Sequence, residues 1–314
     1  DCSRLASTSE WCFKEFMGLM GMELSSNPSK DKAFQEAFEP LGVRIDFSRS
    51  SEDLIVVAPK ESRVAEVKAV ATEAIRSEVM SGHVAASLAH KARFLRESLF
   101  GRCGARLLRE LAVHAANGRE ASISSDLKER LQWLVRYLDR ARPREVQANL
   151  VAKPVVIFTD GASEETVTVG GVLFDGDAPP EFFSSTVPED VVEGWRAQGG
   201  QQVIGQAELL PVYIASRLWE EKLRDRYSLW FLDQDAARRG LIKGYSASLR
   251  SGALIDATSE VLSQIGSFPW FARVGTASNI ADGPSRLDCT HLYELFPEAK
   301  RCEVTWARIR EGLA

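Results

Sequence analysis

Four carboxylates, Asp160, Glu208, Asp233 and Asp282, stand in this 314-residue chain where four different secondary-structure elements would present them at one end of a single sheet. Like charges a few ångströms apart repel one another unless divalent cations stand between them. A chain that gathers acids from four separate places therefore points to a site built for metal ions, and to a sheet whose strand ends and helix starts meet.

The local patterns bear on each acid in turn. Pro154-Val155-Val156-Ile157-Phe158 is an apolar run too short for a helix, and Thr159-Asp160-Gly161-Ala162 then reads as a turn, which predicts a buried strand with Asp160 at its exit. Glu208 lies in Ile204-Gly205-Gln206-Ala207-Glu208-Leu209-Leu210, ahead of an apolar stripe at Leu209, Val212, Tyr213, Ser216 and Leu218, which predicts the first turn of a helix. Asp233 ends the run Leu229-Trp230-Phe231-Leu232 and precedes a helix-like stretch. Asp282 follows the strand-like Trp270 to Val274 and opens a short final helix, with small neighbours that allow close backbone approach. Taken singly, each acid also reads as a turn, cap or loop residue. Asp235 reads as a cap or solvated acid of the helix after Asp233.

Phe158-Thr159-Asp160-Gly161-Ala162, Gln206-Ala207-Glu208-Leu209, Phe231-Leu232-Asp233-Gln234-Asp235 and Asn279-Ile280-Ala281-Asp282-Gly283-Pro284-Ser285-Arg286 occur in an order that resembles the ribonuclease H domain of a retroelement reverse transcriptase. The resemblance covers about residues 150 to 300. It implies an α/β fold in which a mixed five-stranded sheet is flanked by helices, with Thr166 to Phe174 and Glu181 to Thr186 as its second and third strands. It also implies hydrolysis of the RNA strand of an RNA–DNA hybrid by two magnesium or manganese ions held by the four acids. Asp160 would bridge the ions, Glu208 and Asp233 would hold one, and Asp282 the other. Oxygen ligands suit these ions, and no Cys/His pattern competes. Gln206 is a candidate for contacting a minor-groove edge or a 2′-hydroxyl. Many relatives carry a His shortly before the last acid, whereas the four histidines here are His83, His90, His114 and His291; Arg273 and Ser278 are the candidates to stand in.

The first half of the chain points the same way. Phe34 to Asp46 resembles the segment that follows the palm of a reverse transcriptase, with a short strand at Leu41 to Phe47 and a hairpin partner at Leu54 to Pro59. Arg63 to Ser77, Val84 to Phe100, Leu107 to Ala116 and Leu127 to Leu138 have helical periodicity, and the stretch around Ala85 to Leu95 resembles a thumb helix. The expected division is a mostly helical thumb- or connection-like domain over residues 1–145, lacking a Tyr-x-Asp-Asp polymerase motif, and a ribonuclease H-like domain over 146–314. No DNA polymerisation is expected from this chain by itself.

Charge is uneven. From Arg63 to Glu145 there are sixteen Lys and Arg against ten Asp and Glu, while the whole chain carries formal net charge −5. Arg93, Arg96, Arg102, Arg106 and Arg109 are accordingly the candidates to follow nucleic-acid phosphates. Five cysteines without metal-ligand spacing read as free thiols of a reducing compartment. With no charged-then-apolar leader and no run of about twenty apolar residues, the expected location is intracellular, in nucleus or cytoplasm. The stretch from Asp175 to Glu193 reads as a loop around a short strand, and Glu193 to Gln202 as a polar connection. Two functions fit: a hybrid-specific endonuclease derived from a retroelement, or a nucleic-acid-binding or scaffold protein that keeps the fold without turnover.

Overall fold

The structure, a computed structural model, describes residues 2–22, 35–98, 103–147, 153–197 and 203–311. Its first half runs α1 (Cys2–Leu19), β1 (Ala37–Phe38), β2 (Val43–Asp46), β3 (Leu54–Pro59), α2 (Glu61–Ser77), β4 (Val79–Ser81), α3 (Gly82–Ser98), α4 (Ala105–Ala116), β5 (Glu120–Ser122), α5 (Ser125–Arg140) and β6 (Arg144–Gln147). Strands β2 and β3 form the expected hairpin, with Val43 opposite Pro59. They belong to an antiparallel sheet of order β1-β2-β3-β6, and β4 pairs with β5, so this half carries two small sheets as well as its helices. The expected division at residue 145 falls inside β6, which pairs with β3. Helix α1, whose Trp11, Phe13, Phe16 and Leu19 remain exposed, has no counterpart in the sequence reading.

Helix α5 shows why the helical half holds together. The Ser124 hydroxyl accepts the Leu127 amide at 3.1 Å, a cap worth about 1 kcal/mol. Leu127, Leu131, Leu134 and Leu138 then recur on one face and are buried against Leu88, Leu95, Leu107 and Leu111, each worth roughly 1.5–3 kcal/mol.

The second half runs β7 (Val155–Ser163), β8 (Val167–Phe174), β9 (Glu181–Thr186), α6 (Glu189–Ala197), α7 (Ile204–Leu218), α8 (Glu220–Leu223), β10 (Tyr227–Leu232), α9 (Asp235–Lys243), α10 (Leu249–Gln264), β11 (Phe268–Arg273), α11 (Asp282–Ser285), α12 (Thr290–Leu295), β12 (Lys300–Arg301) and α13 (Trp306–Glu311). The sheet order is β11-β10-β7-β8-β9-β12. Strands β7, β8 and β9 form an antiparallel meander, while β10 runs parallel to both β7 and β11. A sixth strand is therefore added to the five expected, because Lys300 and Arg301 pair in parallel with Glu181 and Phe182. One face packs Ile157, Trp230 and Phe271 against Leu210, Ile214 and Leu254 of α7 and α10. The other buries Val172 and Phe182 against Ala281 and Leu292 beside α11 and α12.

Two readings need correction. The stretch expected to be a loop and a polar connection contains α6, where Glu189 and Asp190 occupy the first turn and Val192 and Trp195, three apart, are buried. Acids favour a helix N-terminus, and the spacing places both apolar side chains on one face. Asp160 is not at a strand exit: β7 continues to Ser163, with Asp160 opposite Gly170.

The halves meet through side chains of α5 and α10. Arg130 pairs with Asp256 at 3.5 Å, the Trp133 indole donates to Glu260 at 3.1 Å, and Tyr137 bonds Ser263 at 2.8 Å. The three contacts advance along both helices together, as the faces of two parallel helices would.

Candidate metal centre

Strand β7 places Asp160 at the middle of the sheet, and the acid-bearing helix can reach it because of two residues that carry no charge. Gly161 is the first: a Cβ there would lie 2.0 Å from the Ala207 carbonyl oxygen, so any other residue would push α7 away. Pro211 is the second, since it sits inside α7 and cannot donate a hydrogen bond to the carbonyl four residues earlier, that of Ala207. Because α7 already begins at Ile204, Glu208 stands in its second turn and not in the first as expected, and the close approach at Gly161 sets it over the strand. Asp233 follows directly on the last residue of β10.

Ligand oxygens of Asp160, Glu208 and Asp233 lie within 4.8 Å of one another. Asp160 and Glu208 are 5% and 7% exposed. Burial, opposed by a hydrogen bond from Ser285 and reinforced by the Asp233 and Asp282 charges, pushes the Asp160 carboxyl up to about 6. Burial together with the Asp160 and Asp233 charges pushes Glu208 up to about 8. Asp233 accepts the Thr276 hydroxyl on Oδ2 at 3.0 Å; its Oδ1 is buried and has no hydrogen-bond partner among the described residues. Buried anionic oxygens without donors are costly. A cation held there would supply the missing positive charge, and an all-oxygen donor set is of the kind that suits hard divalent cations.

Asp282 opens α11 and lies near enough to Asp160 to act on its charge, but it stands outside the three-acid group. Its Oδ1 accepts Arg286 Nε at 3.2 Å, and the other arm of Arg286 reaches Glu164 at 2.5 Å. Asp235, at the start of α9, pairs with Arg238 and Arg239.

The remaining nominated residues divide by surroundings. Gln206 is 7% exposed, and its amide donates to the hydroxyls of Ser248 and Ser251 at 3.4 Å each, so it ties α7 to α10. Arg93 is exposed on α3 and Arg96 is half-buried. Arg109 stacks over Tyr245 at 4.9 Å, and Arg106 acts on the half-buried Asp256 of α10, so these two face the other half of the molecule. Arg102 lies outside the described residues. Arg273 is exposed and acts on Asp235, and Ser278 sits in the short 3-10 turn that also holds Thr276. Thr276, Asn279 and Ser285 touch the site or its frame without having been singled out; only the small polar character of the stretch around Asp282 hinted at them.

Among the described residues, no helix is long and apolar enough to cross a membrane. No protein-family profile matches the chain, and no curated protein matches it. Among solved structures, it is similar to ribonuclease H1 from the halophilic archaeon Halobacterium salinarum NRC-1, at 19% identity and a TM-score of 0.32, over 42% of this chain and 93% of that one.

Proposed function

We propose that this chain is a divalent-cation-dependent nuclease that hydrolyses the RNA strand of RNA–DNA hybrids, with Asp160, Glu208, Asp233 and Asp282 holding two magnesium or manganese ions. The observation that carries the reading is the approach of three acids from β7, α7 and the end of β10 to within 4.8 Å, with one Asp233 oxygen buried and unpartnered. Bound there, two such ions would lower the pKa of a coordinated water and offset charge on the leaving oxygen of a phosphodiester. The chain's own residues do the rest: β7 and α7 fix two carboxylates in place before any ligand arrives, and the buried surroundings strengthen every charge interaction with the phosphate. Asp282 completes the set once its carboxylate leaves Arg286.

On this reading the ribonuclease H-like part comprises residues 146–314. Residues 1–145 are a thumb- or connection-like remnant of a retroelement reverse transcriptase that follows the hybrid's backbone. The observation that Asp282 is engaged by Arg286 favours the second reading, a nucleic-acid-binding or scaffold protein with this fold and no turnover.

The test uses an RNA–DNA hybrid and a DNA duplex, labelled on each strand in turn, with magnesium, manganese or chelator. The expected result is cutting of the RNA strand alone, dependent on cation, since a ribose 2′-hydroxyl distinguishes the strands. Equal cutting of RNA and DNA strands, or full activity in chelator, overturns the proposal. Tight hybrid binding without cleavage in either cation supports the second reading.

A further inference from the structure

Three buried hydrogen bonds fasten the segment that carries Asp282 onto the sheet. The Asn279 amide donates to the Thr159 carbonyl at 3.2 Å, the Ser184 hydroxyl donates to the Pro284 carbonyl at 2.7 Å, and the Ser285 hydroxyl donates to Asp160 Oδ2 at 2.5 Å. The segment lies hard against β8, because a Cβ at Gly170 would meet the Ser285 nitrogen at 2.3 Å. Two of the bonds join backbone to side chain and would hold α11 whatever the acids do. The third ends on a carboxylate of the proposed site.

Ser285 is fully buried, at 0% exposure. Its oxygen also lies 2.8 Å from the carbonyl of Asp282, so one side chain touches the carboxylate of the first acid and the backbone of the fourth. A hydroxyl has a single hydrogen to donate. An ionised carboxylate is a stronger acceptor than a peptide carbonyl, so while Asp160 is ionised the hydrogen belongs to it.

Resting on the metal-centre reading above, we infer that Ser285 is a positioning residue: it sets the rotamer of Asp160 and ties the first acid to the turn that carries the fourth. With Oδ2 held by Ser285 of α11, the carboxylate cannot swing away from that turn. Its other oxygen, and the remaining lone pair of Oδ2, are left for cations shared with Glu208 and Asp233. Outer partners of this kind orient ligands, and losing one typically costs about 10–100-fold in metal affinity.

The experiment is a titration of the full-length chain with manganese(II) by calorimetry, paired with melting in chelator, for the wild type and three variants. Ser285→Ala removes the donor. Ser285→Cys keeps the side chain's bulk and offers only a weak donor, which guards against a fold failure caused by the vacated space. Ser184→Ala breaks the neighbouring bond to the same turn without touching an acid. The expected result is roughly a 10–100-fold weaker manganese affinity for both Ser285 variants, with Ser184→Ala binding manganese like the wild type even where its melting temperature falls. Unchanged affinity in the Ser285 variants overturns the inference. So does an equal loss in Ser184→Ala, which would make Ser285 one more fastening of α11. A wild type that binds no manganese sinks the metal centre itself, a failure distinct from that of Ser285.

Discussion

Around the leucines of α3, α4 and α5, the buried polar side chain among the described residues before 148 is His114, whose ring nitrogen meets the Met80 carbonyl at 2.8 Å. The sheet-centred half buries Asp160, Glu208, Gln206, Asn279 and Ser285. Both halves bury leucines and valines freely, so apolar burial does not distinguish them. The difference lies in polar groups, which cost several kcal/mol to bury unless they are hydrogen-bonded or matched by charge. One half thus keeps its interior almost wholly apolar. The other buries carboxylates close together, an arrangement that could hold a metal ion.

That contrast breaks most visibly at Asp160. Asp160→Asn is expected to reduce cation-dependent cleavage by on the order of a thousandfold, about 4 kcal/mol in barrier, while melting in chelator stays the same or rises as repulsion is relieved. A drop of several degrees in chelator would make Asp160 a structural residue and remove the contrast.

Next in size is the purely apolar side. Leu131, fully buried, loses about 2–5 kcal/mol of stability on replacement by Ala, read by denaturant titration, yet manganese affinity under native conditions stays at the wild-type value. If affinity falls in step with stability, the two halves are not energetically separate and the comparison fails.

Glu208 sharpens the comparison through pH. Its folded carboxyl titrates near 8 against an ordinary 4.5, so the unfolded chain sheds the proton first. Metal-free stability therefore falls as pH rises between those values and levels off above the folded one, a loss of at most about 5 kcal/mol. Glu208→Gln removes the slope above about pH 6, where Asp160 has already lost its proton, and in chelator at pH 8 it melts above the wild type. Identical slopes for the two proteins would show that Glu208 is not strained by its surroundings.

Smallest is the effect of the surface arginines. Arg93→Ala and Arg96→Ala each lower the salt dependence of hybrid binding by one phosphate contact or less. Arg109→Ala, which loses its stack on Tyr245, changes stability and leaves the salt slope alone. A salt slope unchanged by all three would mark the helical half as packing only.

Much of this was legible in the residues. The apolar runs before Asp160 and Asp233 became β7 and β10, and the stripe after Glu208 became α7. Alternation and helical period survive in sequence because each reflects a local geometry. Other features were not legible. Thr159-Asp160-Gly161-Ala162 has the composition of a turn, and its pairing with Thr168, Val169, Gly170 and Gly171 on β8 keeps it extended. Nothing local shows that Gln206 bonds to Ser251 of α10, 45 positions away.

By itself the sequence determined which acids exist, which elements carry them and in what order, since those follow from period, propensity and chain direction. Only the tertiary structure decided the distances: that Gly161 and Pro211 let α7 close on β7, that Ser285 reaches Asp160, and that Arg286 takes Asp282. The reason is physical. Each of these contacts joins residues far apart along the chain, 125 positions in the case of Ser285 and Asp160, and no local rule of backbone geometry spans such a separation.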